Sequence, residues 1–319
     1  AFLRLTLNKF PNIKRLIVFS RDELKQWELQ EQFSPDKYHG LRYFLGDIRD
    51  QYRLRHALED IDLVIHAAAL KHVPVAEYNP MEFIKTNILG SENLINACLD
   101  SEVKKVIAIS TDKASCPVNL YGASKLCSEK LFIAANNIVG KRDLSFSVVR
   151  YGNVMGSRGS VIPYFLKSAK EGTLTITDPE MTRFNILIKE SVEMVYWAIN
   201  NSIGSEIFVP KLPSYSIKDL AEAIGPTCKK KIIGIRAGEK IHEEMISESD
   251  SYYTYDIGKY FLIIPSGCDM KSKYGNVWNN ARKISEGVSY NSGNNDNFLN
   301  IEELRNLIKL NIDSEFKPK

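Results

Sequence analysis

The chain has 319 residues, of which 44% are hydrophobic and 25% charged, and 42 basic against 39 acidic residues give a formal charge of +3. This composition is ordinary for a globular protein and excludes intrinsic disorder and collagen-like repeats. The nearly neutral balance does not favour a nucleic-acid groove, and apolar runs such as Leu16–Phe19 are too short to span a bilayer. Five scattered cysteines without a Cys-x-x-Cys spacing predict a reduced, cytoplasmic chain with neither disulfides nor a zinc site.

The first half of the sequence alternates segments typical of strands and helices. Apolar residues recur at helical spacing over residues 1–10. The strands that follow are predicted at residues 13–19, 41–45, 63–69, 105–110 and 145–150, with helices at 20–33, 51–58, 80–99 and 121–139. This alternation predicts an α/β fold with a Rossmann-like, doubly wound parallel sheet, whose ligands bind where the strands end.

After residue 152 the alternation becomes less regular. Helices are predicted at residues 161–171, 189–200, 216–224 and 300–308, a strand at 206–209 and a polar loop at 290–298. We therefore predict a dinucleotide-binding domain over residues 1–152, to which residues 185–209 return. Residues 153–184 and 210–319 would form a smaller C-terminal substrate domain.

The segment Tyr121-Gly122-Ala123-Ser124-Lys125 places a phenol and an ammonium one helical turn apart. An adjacent ammonium favours the phenolate, so we expect the pKa of Tyr121 to fall from about 10 toward neutrality. Such a pair can take a proton from a carbinol while a hydride leaves the same carbon. Tyr and Lys are often four residues apart in helices, however, so this pattern alone does not establish a site.

An acid and a base stand side by side in Ser110-Thr111-Asp112-Lys113, where a buried strand is predicted to end. A turn with solvated charges is the alternative explanation, but the position at the ligand edge of the sheet favours a site. Because burial disfavours an ammonium, we expect a lowered pKa for Lys113, which would suit a base.

Several further segments are long enough to be specific. They are SRDELKQ (20–26), HAAALKHVP (66–74), STDKA (110–114), RYGNV (150–154), MTRF (181–184), IRAGEK (235–240) and YNS (290–292). Together they resemble the extended short-chain dehydrogenase/reductase family, in particular its inverting UDP-N-acetylglucosamine 4,6-dehydratases, over essentially the whole chain. In such enzymes Asp is followed by Lys, as in Asp112-Lys113, whereas other sugar-nucleotide dehydratases have Asp-Glu. Membrane-anchored relatives that retain the C5 configuration typically have Met at the position of Tyr121.

The resemblance implies an NADP-dependent hydro-lyase that starts pseudaminic acid synthesis by dehydrating UDP-N-acetylglucosamine with inversion at C5. Tyr121 would take the C4 hydroxyl proton, supported by Lys125 and Thr111. Lys113 would remove the C5 proton while Asp112 protonates the departing C6 hydroxyl. The expected product is a UDP-2-acetamido-2,6-dideoxy-L-arabino-hexos-4-ulose.

The cofactor is expected at the ends of the first strands. Arg21 stands where NAD-preferring enzymes present an acid to the ribose 2′-hydroxyl, so NADP is favoured. The resemblance implies that the cofactor contacts are Ser20, Arg21, Lys25, Asp47, Ile48, Ala67, Ala68, Lys71, Tyr121 and Lys125.

The substrate contacts implied by the resemblance include arginines for diphosphate oxygens and a carboxylate for ribose hydroxyls. They are Lys71, Lys113, Asn153, Val161, Arg183, Arg236 and Glu239. No metal, membrane or nucleic-acid partner is expected, and relatives of this kind assemble as homo-oligomers.

Two other functions fit the same motifs. A dehydratase/5-epimerase of an N-acetyl-L-fucosamine pathway shares most of them, and a non-catalytic sugar-nucleotide-binding protein would share the binding residues. Residues 1–10 also resemble the end of the first helix of a dinucleotide-binding domain, and no Gly-rich turn precedes residues 13–19. We therefore expect the natural protein to extend upstream, and these 319 residues alone to bind NADP weakly and to aggregate.

Overall fold

The computed structural model describes residues 1–319, and helices and strands alternate along them as an α/β fold requires. Packing divides the chain into two compact units. Unit 1 comprises Ala1–Ile109, Ser124–Val148 and Val195–Glu206, and unit 2 comprises Ser110–Ala123, Val149–Met194 and Ile207–Lys319. The assignment of cofactor and substrate binding to separate domains stays a prediction.

Unit 1 holds most of the predicted strand–helix alternation. Its complete elements are α1 (Phe2–Lys9), β1 (Leu16–Ser20), α2 (Glu23–Gln32), β2 (Leu41–Leu45), α3 (Gln51–Ala57), β3 (Leu63–His66), α4 (Val73–Tyr78), α5 (Pro80–Phe83), a π-helical turn (Ile84–Leu89) and α6 (Gly90–Leu99). Four further elements contain a boundary between the units: β4 (Lys105–Thr111), α7 (Leu120–Ala135), β5 (Ser145–Tyr151) and α9 (Ile188–Asn201).

The strands of unit 1 pair in parallel, as predicted. β1 pairs with β2 in a two-stranded sheet of its own, and β3 pairs with β4 in another sheet. The apolar residues of β1 and β3 are half-buried, whereas Val106, Ile107 and Ala108 of β4 are buried. The apolar face of α1 packs through Leu7 on Phe33 and Leu41, which explains its helical spacing.

Two predicted helices differ from the structure. α2 begins at Glu23 rather than at Ser20, because the Asp22 side chain accepts a hydrogen bond from the Lys25 backbone N–H at 3.0 Å and caps the helix. Ser20 instead ends β1. The helix predicted at residues 80–99 is interrupted by the π-helical turn, and α4 before it was not predicted.

Unit 2 is built from short elements around a separate core. They are a 3₁₀ turn (Asp112–Ala114), β6 (Asn153–Val154), α8 (Val161–Ser168), β7 (Thr173–Ile176), β8 (Thr182–Ile186), β9 (Ile207–Pro210), β10 (Ser214–Ser216), α10 (Ile217–Ile224), β11 (Lys229–Ile232), β12 (Glu244–Ile246), α11 (Glu248–Ser251), β13 (Thr254–Asp256), β14 (Tyr260–Ile263), α12 (Met270–Tyr274), β15 (Arg282–Lys283), β16 (Tyr290–Asn291) and α13 (Ile301–Asn311). Phe165, Leu220 and Leu304 anchor the contact of α8, α10 and α13.

The strands of unit 2 form several small sheets. β9, β14, β13 and β15 pair antiparallel in that order, and β8 lies between β6 and β10. β12 pairs antiparallel with β16, and β16 lies within the segment 290–298 that was predicted as a polar loop. That pairing fixes the chain directly after Glu243, which precedes β12. None of the helices in the chain combines the length and the apolarity needed to cross a membrane.

Candidate active site

The acid–base pair predicted from the sequence lies on the 3₁₀ turn that follows β4. Thr111 ends the strand, and its Oγ1 donates to Asp112 Oδ1 at 3.0 Å and accepts from the Lys113 backbone N–H at 3.4 Å. Gly122 packs against this turn so closely that a Cβ there would lie 2.2 Å from the Lys113 carbonyl oxygen. The turn is therefore held by its own hydrogen bonds and by a position that only glycine can fill.

Lys113 lies between two carboxylates. Its Nζ is 3.0 Å from Asp112 Oδ1 and 3.0 Å from Glu243 Oε1. Arg183 Nε lies 3.7 Å from the same Glu243 oxygen. The side chains of Asp112 and Glu243 are 1% and 5% exposed, and that of Lys113 is 24% exposed. We call Asp112, Lys113, Arg183 and Glu243 the buried charge cluster.

The ionisation of this cluster differs from the sequence prediction. Burial alone would lower the pKa of Lys113, but the Asp112 and Glu243 carboxylates outweigh it and raise this pKa above its ordinary value. The predicted lowering of the Lys113 pKa is therefore wrong. Burial raises the pKa of Asp112 against the opposing charge of Lys113. For Glu243 burial acts in the same upward direction, but Lys113 and Arg183 lower its pKa.

Several buried polar atoms of unit 2 have no hydrogen-bond partner in the protein. They include Asp112 Oδ2, Glu243 Oε2 and Asn153 Oδ1. A Cβ at Gly152, in the predicted RYGNV motif, would lie 3.5 Å from that Asp112 oxygen. Buried oxygens without partners are uncommon in folded proteins, and two of these belong to the carboxylates that flank Lys113, where a polar ligand would find acceptors.

Tyr121 and Lys125 lie one turn apart on α7, as predicted. Tyr121 is 9% exposed, and burial raises its pKa, while the Lys113 ammonium and a hydrogen bond with Thr111 lower it. The predicted shift toward neutrality is therefore wrong for this state of the protein. Lys125 Nζ donates to the Ile109 carbonyl at 2.8 Å. Burial lowers the pKa of Lys125 to about 8, with Glu129 opposing the shift.

The loop after β3, which the sequence predicts to contact the cofactor, is positioned by Asn87 on the π-helical turn. Asn87 Oδ1 accepts from the Leu70 backbone N–H at 2.9 Å, and its Nδ2 donates to the Leu70 carbonyl at 2.9 Å. Lys71 follows directly and lines a cavity of about 270 Å³ with Val75 and Phe83. Ala67 and Ala68 are exposed. Sequence reasoning missed Asn87, because a π-helical turn leaves no clear signal in the sequence.

A second group of charges, the exposed charge cluster, lies at the ends of β1 and β2. It consists of Arg21, Asp47 and Arg49. Arg49 pairs with Asp47 at 2.8 Å, and the side-chain hydrogen bond from Arg49 is the main reason that the pKa of Asp47 is lowered. Arg21 NH1 lies 3.8 Å from Asp47, and its side chain is 50% exposed. The Arg21 guanidinium therefore keeps donors that can turn toward an incoming anion.

The remaining predicted cofactor residues near the ends of β1 and β2 are not part of the exposed charge cluster. Lys25 pairs with Asp22 at 2.6 Å and is exposed. Ser20 Oγ accepts from the Asp22 backbone N–H at 3.1 Å. Ile48 is buried, and a Cβ at Gly90 would lie 2.8 Å from its Cγ2, so Ile48 acts here as a packing residue for α6.

Of the predicted substrate residues outside the buried charge cluster, Lys71 lies in unit 1 and the others lie in unit 2. Arg236 and Glu239 face each other across a turn, with Arg236 NH1 3.6 Å from Glu239 Oε1. Val161 is the first residue of α8, and Asn153 lies on β6. Arg183 is the predicted substrate residue that the structure joins to Lys113, through Glu243.

Glu243 was missed by sequence reasoning. The only signal is its position three residues after the IRAGEK segment, in an acid pair at the start of β12. Nothing in that spacing shows which of Glu243 and Glu244 turns toward Lys113. In the structure Glu244 instead accepts from Ser115 Oγ at 3.3 Å.

The parallel strand pairs, the Tyr121–Lys125 helix and the charged turn after β4 define an extended short-chain dehydrogenase/reductase. The solved structure of Pen from Bacillus thuringiensis is 38% identical, covers 96% of this chain and 92% of that chain, and superposes with a TM-score of 0.86, which confirms the Rossmann-like α/β fold. The chain belongs to the family of polysaccharide biosynthesis proteins, whose family model matches residues 2–265.

Two groups of curated relatives are similar over most of their length. The UDP-N-acetylglucosamine 4,6-dehydratase (inverting) of Campylobacter jejuni is 52% identical over 307 residues, which cover 94% of this chain and 90% of that protein. The UDP-glucose 4-epimerase of Rickettsia akari is 41% identical over 303 residues, which cover 93% of this chain and 87% of that protein. The recognised resemblance to inverting dehydratases is thus confirmed by sequence similarity over nearly the whole chain.

Proposed function

We propose that this protein is a hydro-lyase that removes water across C5 and C6 of UDP-N-acetylglucosamine and inverts C5. The observation that carries the proposal is the buried charge cluster, in which an acid with a raised pKa and a lysine stand side by side. The similarity to the Campylobacter jejuni dehydratase supports the same reaction. The proposed product would enter pseudaminic acid synthesis.

Each residue of the turn has a role set by its ionisation. Burial raises the pKa of Asp112, which suits it to protonate the departing C6 hydroxyl. Lys113 removes the C5 proton, which is acidified by the ketone at C4. Tyr121 takes the C4 hydroxyl proton, and Thr111 holds the phenol oxygen by a hydrogen bond. Asn153, Arg183, Arg236 and Glu239 are proposed to hold the nucleotide.

The cofactor that we propose is NADP. When bound, it would accept a hydride from C4 and return it to C6. The exposed charge cluster fits the 2′-phosphate, because Arg21 is half-exposed and makes only a long contact of 3.8 Å with Asp47. Asp47 is in turn paired with Arg49, so its charge is compensated when a phosphate approaches. Lys125 is proposed to bind the nicotinamide ribose, and Lys71 is proposed to contact the cofactor or the sugar.

The test is incubation of the purified protein with UDP-N-acetylglucosamine and NADP, followed by mass spectrometry and NMR of the sugar. We expect a 4-keto, 6-deoxy sugar lighter than the substrate by one water molecule. A C4 epimer that keeps its C6 hydroxyl would instead show the activity named for the Rickettsia akari relative. Unchanged sugar, with binding intact by calorimetry, would support a non-catalytic binding protein. A product epimerised at further carbons would indicate the N-acetyl-L-fucosamine route.

A further inference from the structure

The proposed reaction requires Lys113 as a neutral amine, because an ammonium has no lone pair with which to take the C5 proton. In the structure the pKa of Lys113 is instead raised, and its Nζ lies 3.0 Å from Asp112 Oδ1 and 3.0 Å from Glu243 Oε1. One proton must therefore leave Lys113 before it can act as a base. The inference developed here rests on the proposed function and asks where that proton goes.

Asp112 is poorly suited to accept it. Its Oδ1 already accepts hydrogen bonds from Thr111 Oγ1 and from Lys113, each at 3.0 Å. Its proposed role as the acid requires a proton of its own, and burial raises its pKa in the direction that this role needs. A residue cannot serve as the acid for C6 and take a second proton in the same step.

Glu243 is the other carboxylate in contact with Lys113, and its Oε1 lies 3.0 Å from Lys113 Nζ. Lys113 and Arg183 lower the pKa of Glu243, so the ion pair is the resting state and the neutral pair is a minor state formed from it. Its Oε2 is buried without a hydrogen-bond partner. The backbone of Glu243 is fixed on both sides by Ser292, whose Oγ accepts from the Glu243 N–H at 2.9 Å and whose N–H donates to the Glu243 carbonyl at 2.7 Å.

We propose that Glu243 is a positioning residue that accepts one proton from Lys113, so that Lys113 meets the substrate as a neutral amine. The N–H bond on Nζ breaks and leaves its electron pair on nitrogen, and an O–H bond forms on the Glu243 carboxylate. Two opposite charges disappear together, and no proton is exchanged with solvent. A low-polarity surrounding favours this neutral pair relative to the same transfer in water.

The other charged and titratable groups around the pair limit what can replace Glu243. Arg183 is a cation that accepts no proton. Five charged or titratable groups interact electrostatically with Lys113 or Glu243. They are Asp112, Tyr121, Arg183, Tyr215 and Lys240. Of these, Lys240 donates to the Ser115 carbonyl at 2.7 Å. Burial raises the pKa of Tyr215 to about 12.

The experiment measures deuterium exchange at C5 of the sugar against pH, divided by the amount of reduced cofactor formed. In the wild-type enzyme an internal proton transfer leaves the total number of bound protons unchanged, so the normalised rate should be flat from about pH 6 to pH 9. In Glu243→Gln the Lys113 proton must leave to solvent, and the rate should rise about tenfold per pH unit below the Lys113 pKa.

Two variants serve as controls. Glu244→Gln removes the neighbouring carboxylate, whose contact is with Ser115, and should keep the flat profile. Glu243→Asp keeps the acceptor on a shorter side chain and should also keep the flat profile, with a lower rate. If the role of Glu243 is purely structural, the normalised rate of C5 exchange in Glu243→Gln should fall by the same factor at every pH. If Glu243 only holds Lys113 as an ammonium, Glu243→Gln should react faster than the wild type at neutral pH. Either result overturns the proposal.

A measurement on the wild-type protein does not depend on the folding of any variant. Carbon-13 NMR of the lysine side chains, with the Lys113 signal assigned by its loss in Lys113→Arg, should show an ammonium up to at least pH 10. A Lys113 that is neutral at pH 7 needs no acceptor and would contradict the inference. If the wild-type enzyme instead forms no keto sugar and exchanges no C5 proton, the proposed function fails, while the ionisation of Lys113 is still measured.

Discussion

The buried charge cluster of unit 2 and the exposed charge cluster of unit 1 contain the same types of charged side chain but differ in their exposure to solvent. Both combine carboxylates with cations next to strand ends. In the first, the Asp112 and Glu243 side chains are at most 5% exposed, whereas in the second the Arg21 and Asp47 side chains are 50% and 26% exposed. Water reaches every member of the exposed cluster, whereas in the buried cluster it reaches Lys113, which is 24% exposed, but hardly reaches the two carboxylates.

This difference separates binding from chemistry. An exposed guanidinium can turn from Asp47 to a phosphate at little cost, because water screens both arrangements. In the buried cluster each charge depends on its neighbours, so removing or moving one proton changes the ionisation of the others. We therefore expect substitutions in the buried cluster to change rates and pH profiles, and substitutions in the exposed cluster to change affinity and its salt dependence.

The largest expected effect is that of Lys113→Ala. Loss of a general base slows proton transfer by about 100- to 10,000-fold, so exchange of the C5 proton should fall by that factor while oxidation at C4 continues. A single-turnover experiment should show NADPH absorbance without a 6-deoxy product. Lys189→Ala, at a side chain that is 82% exposed, is the matched control and should behave like the wild type. Normal C5 exchange in Lys113→Ala would remove Lys113 from the role of base.

A smaller effect is expected from Arg21→Ala. Loss of a charge-assisted hydrogen bond to phosphate costs about 1.5–3 kcal/mol, which is roughly tenfold or more in affinity. NADP binding should weaken by that factor in a fluorescence titration, and NAD binding should be nearly unchanged, so NAD is the internal control. Equal losses for both cofactors would show that Arg21 does not contact the 2′-phosphate.

Salt provides a third contrast between the clusters. At about 0.15 M ionic strength, charges more than about 8 Å apart in water are largely screened, whereas buried pairs are screened much less. The affinity for NADP should therefore fall as salt is raised, and the ratio of C5 exchange to C4 oxidation should stay constant. A salt-sensitive ratio would mean that the Lys113 site is open to solvent in the working enzyme.

His66 extends the comparison of buried and exposed groups to the stability of the fold, because it is buried beside the Lys125 cation. Burial is the main cause that lowers its pKa from 6.5 to about 3, and Lys125 adds to it. Between these two pH values His66 is protonated in the unfolded chain but neutral in the folded protein. The free energy of unfolding should therefore fall as the pH is lowered from 6.5 toward 3, by up to about 1.4 kcal/mol per pH unit. Urea unfolding of His66→Gln should show a weaker dependence, whereas the exposed His39→Gln should follow the wild type. Equal slopes for all three proteins would rule out this assignment.

Part of this site could be predicted from sequence because local spacing defines it. Asp112 and Lys113 are adjacent, and Tyr121 and Lys125 are separated by one helical turn, so secondary structure alone brings each pair together. The parallel strand pairs followed from apolar runs alternating with helices. Glu243 and Asn87 could not be predicted, because their partners lie far away in the sequence and only the fold brings them together.

The two wrong pKa predictions come from the same competition between burial and neighbouring charge, with opposite outcomes. The sequence indicated that Lys113 is buried and that Lys125 lies one turn from Tyr121, but it did not show the Glu243 carboxylate. Burial and a neighbouring charge shift a pKa in opposite directions at Lys113, and only the 3.0 Å distances decide which one prevails. At Tyr121 the outcome is the reverse, because burial raises the pKa against the charge of Lys113.

The most direct test of the account is the reaction of the wild-type protein with UDP-N-acetylglucosamine and NADP in deuterated water, with NMR of the product. We predict a 4-keto, 6-deoxy sugar that carries deuterium at C5 in the inverted, L-arabino configuration. This result requires removal of the C5 proton, loss of the C6 hydroxyl and reprotonation from the opposite face. A product that keeps its original C5 proton or its original configuration would contradict the central claim.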